Sequence, residues 1–208
     1  MTLAILGAGR VGSALARAFT AMGRSVAVGV PDPAKYAALA AELGPSARVG
    51  TVDEAVAAAR CVVLALPYEA ALEVAAQRAD WDGRILVDVT NPIAAGLAGL
   101  SVGLTTSGAE QIAARAHNAR VVKAFNTTGA ENLADSRYPR GEVFMPVCGD
   151  DAQARAEVLA LARLIGFDAA DCGELRAARY LEPFAMTWIH MALKLGHGRA
   201  FAFARLKR

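Results

Sequence analysis

The chain has 208 residues, with 22 basic against 20 acidic side chains and a net charge of +2, so it lacks the charge excess of a nucleic-acid binder. Hydrophobic content is 55 %, yet no apolar run reaches the about 18–20 residues that a membrane-spanning helix needs. Cys61, Cys148 and Cys172 form no CxxC, and His117, His190 and His197 form no HExxH, which argues for free thiols in a reducing compartment and against a metal centre. With no basic leader ahead of the first strand, a cytoplasmic protein is expected.

Thr2–Leu6 reads as a short apolar strand. It runs into Gly7-Ala8-Gly9-Arg10-Val11-Gly12 and then into an amphipathic helix, Val11–Met22. A strand, a GxGxxG turn and a helix in that order make a pyrophosphate site from backbone alone. Gly7 permits the tight turn, Gly9 lets a phosphate approach the main chain, and Gly12 lets helix and strand pack closely. The helix N-terminus adds unpaired N–H groups and the positive end of its dipole. The same turn also occurs as a plain strand–helix link, so the reading rests on its context.

Gly23 suits a helix terminus, and Ser25–Val30 is the second strand. Asp32 and Pro33 open a helix that runs to Leu43, where Gly44-Pro45 ends it. Arg48–Gly50 is a third strand, and Thr51 with Glu54 makes a capping box for a helix over Val52–Arg60. Cys61–Leu66 is a continuous apolar run, as in a strand covered on both faces, and Pro67 stops it. A helix over Tyr68–Arg78, a strand over Arg84–Val89 and a loop over Ile93–Thr106 follow. Then come a helix over Ser107–His117, strands at Arg120–Phe125 and Val143–Cys148, a helix over Ala152–Ile165 and a strand at Phe167–Cys172. Leu175 to Leu195 is helical, and a final short helix is expected after Gly196-His197-Gly198. The terminal cluster Arg205-Leu206-Lys207-Arg208 reads as a solvated helix end.

Strands that alternate with helices give an α/β fold. The expected architecture is a Rossmann-type, doubly wound, mostly parallel sheet with a small C-terminal strand–helix cap. One domain is expected, with a core over about 1–150 and the cap over about 151–208. In such sheets a ligand crosses the carboxyl ends of the strands. Those ends are Ala8–Gly12, Val30–Asp32, Pro67–Tyr68, Thr90–Pro92 and Ala124–Thr128, and together they outline a cleft.

An acidic last residue on the second strand binds a ribose 2′-OH, whereas Arg or Ser there binds a 2′-phosphate. Val30 can do neither, and Pro31 lacks even an N–H donor. Asp32 lies at a spacing that suits NAD but equally suits a helix cap, while Lys35 and Arg10 are within reach of a phosphate. The residues leave NAD and NADP both open. They contain no catalytic triad, no paired carboxylates and no activated nucleophile, which fits hydride transfer, where stacking, distance and water exclusion do most of the work. Asn91 and Asn126 stand at two strand ends, either to bond a carboxamide or to cap a turn.

The chain resembles the F420-dependent NADP oxidoreductase family. The likeness is carried by Leu6–Gly12, Leu64-Ala65-Leu66-Pro67-Tyr68-Glu69, Leu86-Val87-Asp88-Val89-Thr90-Asn91-Pro92 and Val121-Val122-Lys123-Ala124-Phe125-Asn126-Thr127. It continues in Pro146–Asp151, Ala178–Pro183 and Gly196–Arg199. The resemblance implies an NADPH-dependent oxidoreductase that exchanges hydride with a deazaflavin, F420, or a similar acceptor. It implies pyrophosphate contacts at Gly7, Ala8, Gly9, Arg10, Val11 and Gly12, and adenosine-side contacts at Val30, Pro31 and Lys35. Contacts along the dinucleotide fall on Leu66, Pro67, Tyr68 and Leu72, and nicotinamide contacts on Asn91, Ala124, Asn126 and Ala130. It also implies a homodimer that shares helices of the C-terminal part. One departure stands out, since Val30-Pro31 replaces the Ser-Arg type of pair found in NADP-binding members. Two other readings remain, a reductase of a flavin or ferric chelate, and a non-catalytic NAD(P)-binding redox sensor.

Overall fold

Apolar strands that alternate with amphipathic helices are stable when the helices cover both faces of one sheet. The computed structural model, which describes residues 2–206 and 208, has this arrangement. The strands are β1 (Leu3–Leu6), β2 (Val26–Gly29), β3 (Ala47–Gly50), β4 (Cys61–Leu64), β5 (Ile85–Asp88) and β6 (Arg120–Lys123). After them come β7 (Arg137–Tyr138), β8 (Gly141–Glu142), β9 (Phe144–Gly149) and β10 (Asp168–Asp171). The helices are α1 (Arg10–Ala21), α2 (Ala37–Leu43), α3 (Val52–Ala57), α4 (Tyr68–Gln77), α5 (Gly108–Arg115), α6 (Ala130–Ala134), α7 (Ala152–Leu164) and α8 (Ala178–Ile189).

Eight strands form one sheet in the order β10-β9-β6-β5-β4-β1-β2-β3, and β7 with β8 makes a separate hairpin. Among the described residues the β6–β9 pairing alone in the main sheet is antiparallel. The stretch expected as a C-terminal cap holds α7, β10 and α8, and β10 pairs with β9 to extend the sheet beyond β6. β1, β2, β4 and β5 are buried along their whole length, which explains their unbroken apolar runs. Alternate residues feed opposite cores. Leu3 and Ile5 join a core with Leu15 and Phe19 of α1 and Val158 of α7. Ala4 and Leu6 join the other, with Leu72 of α4, Trp81 and Ile112 of α5. Phe19 meets Phe125 edge-on at 6.3 Å, and Phe125 meets Phe167 at the same distance.

Thr51 and Glu54 form the expected capping box. Asp32 holds the N-cap position of a short 3₁₀ turn, Pro33–Tyr36, without a side-chain cap bond, and pairs instead with Lys35 at 3.4 Å. Four features differ from expectation. α6 and the β7–β8 hairpin interrupt a stretch that carries no strong periodicity. α8 contains Pro183 and passes into a π turn, His190–Lys194. The final short helix is absent among the described residues. The tail lies extended instead, because Phe201 stacks on Trp188 at 5.4 Å and the Phe144 N–H donates to the Phe203 carbonyl. Arg205 is thus no helix-end charge. It makes two hydrogen bonds to Asp168, at 2.9 and 2.6 Å, while Lys207 lies outside the described residues. Among the described residues no helix is long and apolar enough to cross a membrane.

The fold predicts a large cost for emptying the core beneath α1. Phe19→Ala should lower stability by about 3–5 kcal/mol in urea denaturation, and a loss below about 1 kcal/mol would contradict the packing described.

Candidate functional site

Strand register brings the candidate residues together. Gly29, Leu6, Leu64, Asp88 and Lys123 are successive cross-strand partners, so β2, β1, β4, β5 and β6 end in one row. Backbone bonds extend that row by one residue, from Gly7 N–H to the Gly29 carbonyl, Ala65 N–H to Leu6 and Ala124 N–H to Asp88. The five segments that follow form one edge of the sheet.

At its middle lies the glycine turn. Gly7 has φ +98°, open to glycine alone, and a Cβ there would strike the Ala65 carbonyl. A Cβ on Gly12 would strike the Gly7 carbonyl, so α1 sits against the turn. Gly9 is different, since a Cβ there meets no heavy atom within 4 Å. The space above Gly9 is open, and Gly9 is itself the N-cap of α1. No side chain caps this helix and no acidic residue stands in its first turn, whereas Thr51, Ser107 and Asp151 cap α3, α5 and α7. An anion at this point meets unpaired N–H groups and the positive dipole end. Ala8 and Val11 pack partly against the core. Arg10 is exposed and pairs with Glu131 of α6, which Arg199 of the tail also approaches at 3.7 Å.

On the β2 side, Val30 is 1 % exposed and its side chain belongs to the core, so only its backbone faces the row. Pro31, Asp32 and Lys35 are exposed. On the β4 side, Pro67 is exposed and Leu66 half-buried, while Tyr68 and Leu72 sit on the buried face of α4. The Tyr68 hydroxyl donates to Gln111 Oε1 at 2.8 Å. Burial, with the Glu182 charge adding to it, pushes the Tyr68 phenol up to about 12, so it remains a neutral donor.

Beyond β5 and β6, Asn91 and Asn126 are joined. Asn91 Nδ2 donates to the Asn126 carbonyl at 2.9 Å, and Asn126 Nδ2 donates to Asn91 Oδ1 at 3.0 Å and to the Leu181 carbonyl at 3.4 Å. Both acceptors require a donor, which fixes the Asn126 amide with Oδ1 pointing away. Among the described residues that Oδ1 is buried without a hydrogen-bond partner, a costly state unless a water or a ligand supplies a donor. Phe125, just before it, holds φ +60°, the kind of strain that gathers at ligand sites. Ala124 is buried, and Ala130 begins α6, half-buried against the core.

Beneath this pair lies a group that the pattern reading passed over. Lys123 is fully buried and its Nζ lies 2.8 Å from Asp88 Oδ2, 2.9 Å from Glu182 Oε1 and 2.7 Å from the Thr90 carbonyl. Glu182 also accepts the N–H groups of Gly108 and Ala109, at 2.9 and 3.1 Å, at the start of α5. Asp88 accepts the Thr90 N–H at 2.8 Å. Burial alone would push the Lys123 ammonium down, but Asp88 and Glu182 outweigh it and hold it above the ordinary lysine value. The signal was present, since Asp88 ends an otherwise apolar strand and Lys123 follows the apolar pair Val121-Val122 at the end of the next.

A family model described as NADP oxidoreductase coenzyme F420-dependent matches residues 2–92. A candidate F420-dependent NADP reductase from Arthrobacter sp. FB24 is 31 % identical, with TM-score 0.84 and full coverage of both chains. A hypothetical protein from Sinorhizobium meliloti is 30 % identical, with TM-score 0.81 over 100 % of this chain and 96 % of the other. The metalloreductase STEAP3 of Rattus norvegicus is 34 % identical over 88 % of this chain, and the chain spans 36 % of that relative's length. A reductive aminase from Aspergillus terreus, solved with NADPH, shares the fold at 20 % identity and TM-score 0.68, over 94 % of this chain and 62 % of its own.

The buried cluster predicts that removing its cation leaves two carboxylates in the core. Lys123→Met should cost about 3–5 kcal/mol in urea denaturation at neutral pH, and an unchanged midpoint would contradict the electrostatic role. Because the folded-state value of Lys123 is raised, its contribution is complete below the ordinary lysine value and is lost only as pH climbs through the folded one. Wild-type stability should therefore show no loss from this group until strongly alkaline pH.

Proposed function

The chain belongs to the F420-dependent NADP oxidoreductase family, and from that membership we propose that it moves hydride between NADP(H) and a two-electron acceptor. The observation that carries the proposal is the uncapped, open start of α1 at Gly9, in one row with the unpartnered Asn126 Oδ1. The first fits a pyrophosphate and the second fits a carboxamide N–H, the two ends of a nicotinamide mononucleotide half.

In this proposal the backbone of Gly7 to Gly12 holds the pyrophosphate, with Arg10 turning from Glu131 toward the anion. Pro31 and Lys35 flank the adenosine end, and a 2′-phosphate takes the place of Asp32 on Lys35. Leu66 and Pro67 lie along the dinucleotide, Tyr68 and Leu72 support them from α4, and Asn91, Ala124, Asn126 and Ala130 surround the nicotinamide. When bound, the reduced nicotinamide supplies the hydride, and the chain's own side chains bind, orient and exclude water. The family name gives a deazaflavin, F420, as the first candidate acceptor. The likeness to a rat metalloreductase supports a second reading, a reductase of a ferric chelate or flavin. A homodimer is proposed from the family resemblance.

Two variants test this reading. Gly9→Val places a branched side chain in open space, so it should abolish NADPH binding, read by fluorescence, while the melting temperature stays within a few degrees. Equal affinity would remove the pyrophosphate from this loop. Pro31→Arg adds a guanidinium beside the exposed end of β2 and should raise the ratio of NADPH to NADH affinity by about tenfold, one good charge-assisted contact's worth. A flat ratio would mean that β2 does not read the 2′ position.

A further inference from the structure

Two guanidinium groups share one carboxylate oxygen beside the glycine turn. Arg10, the first residue of α1, donates from Nη2 to Glu131 Oε1, and Nη1 of Arg199, on the tail, lies 3.7 Å from the same oxygen. Arg10 directly follows Gly9, above which the space is open. The shared oxygen therefore brings a cation from the far end of the chain beside the start of α1.

The place of Arg199 is fixed by its neighbours. Phe201, two residues on, stacks on Trp188, and its carbonyl accepts the Trp188 indole N–H at 2.9 Å and an Asn132 amide N–H at 2.8 Å. Asn132 is buried, and its Oδ1 accepts the Tyr138 hydroxyl at 2.7 Å, so the amide that anchors the tail has one orientation. Asn132 follows Glu131 on α6. One helix thus holds both the shared carboxylate and the tail that carries its second cation. Gly196 and Gly198 both hold φ +73°, open to few residues but glycine, and turn the chain from the end of α8 into this docked tail.

One carboxylate cannot neutralise two guanidinium groups, and like charges held this close repel. The free chain therefore keeps an excess positive charge here, with a single anion between two cations. The pyrophosphate of a dinucleotide carries one charge on each phosphoryl group. It offers each guanidinium its own partner, with oxygens that suit the planar fork. We infer that Arg199 is a second phosphate-binding cation of the site, and that Glu131 is its internal competitor. Glu131 holds Arg10 and Arg199 together until a diphosphate takes its place. The inference rests on the pyrophosphate reading of the glycine turn and adds to it two residues far along the chain. Water reaches Glu131, whose side chain is 38 % exposed, so its release buries no unpaired charge.

The test is calorimetry on the full chain, with NADP+ as one probe and inorganic pyrophosphate as the other. Glu131→Gln removes the competing charge and should tighten both probes about threefold, the modest size of an ion pair that water reaches. Arg199→Gln should weaken both by about fivefold or more, and Arg199→Lys, which keeps the charge, should recover most of that loss. Neither Glu131 nor Arg199 is buried, so the variants should fold, which thermal melting checks. Unchanged or weaker binding in Glu131→Gln would overturn the competitor. A silent Arg199→Gln, or a loss in Arg199→Lys as large as in Arg199→Gln, would overturn the second cation, because a residue that merely anchors the tail does not depend on charge. If NADP+ binds and the variants do not respond, this inference fails alone. If pyrophosphate binds and obeys the substitutions while NADP+ does not bind, the dinucleotide reading fails alone. Binding of neither probe would overturn both.

Discussion

The placement of the site depends on one buried ammonium. Lys123 ties the end of β6 to the end of β5 through Asp88, to the start of the following loop through the Thr90 carbonyl, and to α8 through Glu182. Glu182 in turn closes the N-terminus of α5. Two carboxylates against one cation leave an excess negative charge in a dry interior, and the N–H groups of α5 and Thr90 meet it. An apolar core would hold these elements equally well, but it would not fix their relative heights. The charged cluster sets where Asn91, Asn126 and the Leu181 carbonyl meet, and therefore where the buried, unpartnered Asn126 Oδ1 lies.

The row of strand ends divides by chemistry. Its centre, at Gly7 to Gly12, offers only backbone and a helix dipole, and suits a diffuse anion. Its β5–β6 end offers a fixed amide pair over a buried charge cluster, and suits a planar polar group of defined orientation. The loop after Pro92 and α8 enclose a separate apolar groove, with no Asp, Glu, Lys or Arg among its described lining residues. An anion site in one row with a fixed polar group is the arrangement on which the dinucleotide proposal rests. Tyr68, held neutral by burial, contributes a hydrogen-bond donor that is committed to Gln111. The Arg10–Glu131–Arg199 cluster links the glycine turn, α6 and the tail, and in the proposed complex a phosphate competes with Glu131 for Arg10.

Much of the fold was legible because the strands are buried on both faces. Continuous apolar runs such as Cys61–Leu64 and punctuation such as Gly7, Gly23, Pro67 and Gly166 speak in local terms, and so does the Thr51–Glu54 box. What was not legible depends on distant partners. α6 has five residues and packs on α1, so no periodicity announces it. The tail after Gly198 lies extended because Trp188 and Phe144 receive Phe201 and Phe203, pairings that local pattern cannot reveal. At the site, the glycine turn was readable from spacing, but the burial of Val30 and the amide pairing of Asn91 with Asn126 were not. Asp88 and Lys123 were visible as charges within strands, and only the topology shows that Glu182, far along the chain, completes them.

The most direct test of the central claim is calorimetric titration of the wild-type protein with NADPH and NADH side by side. The account predicts saturable binding at one site per chain, tighter for NADPH. Absence of saturable binding to either dinucleotide would contradict it.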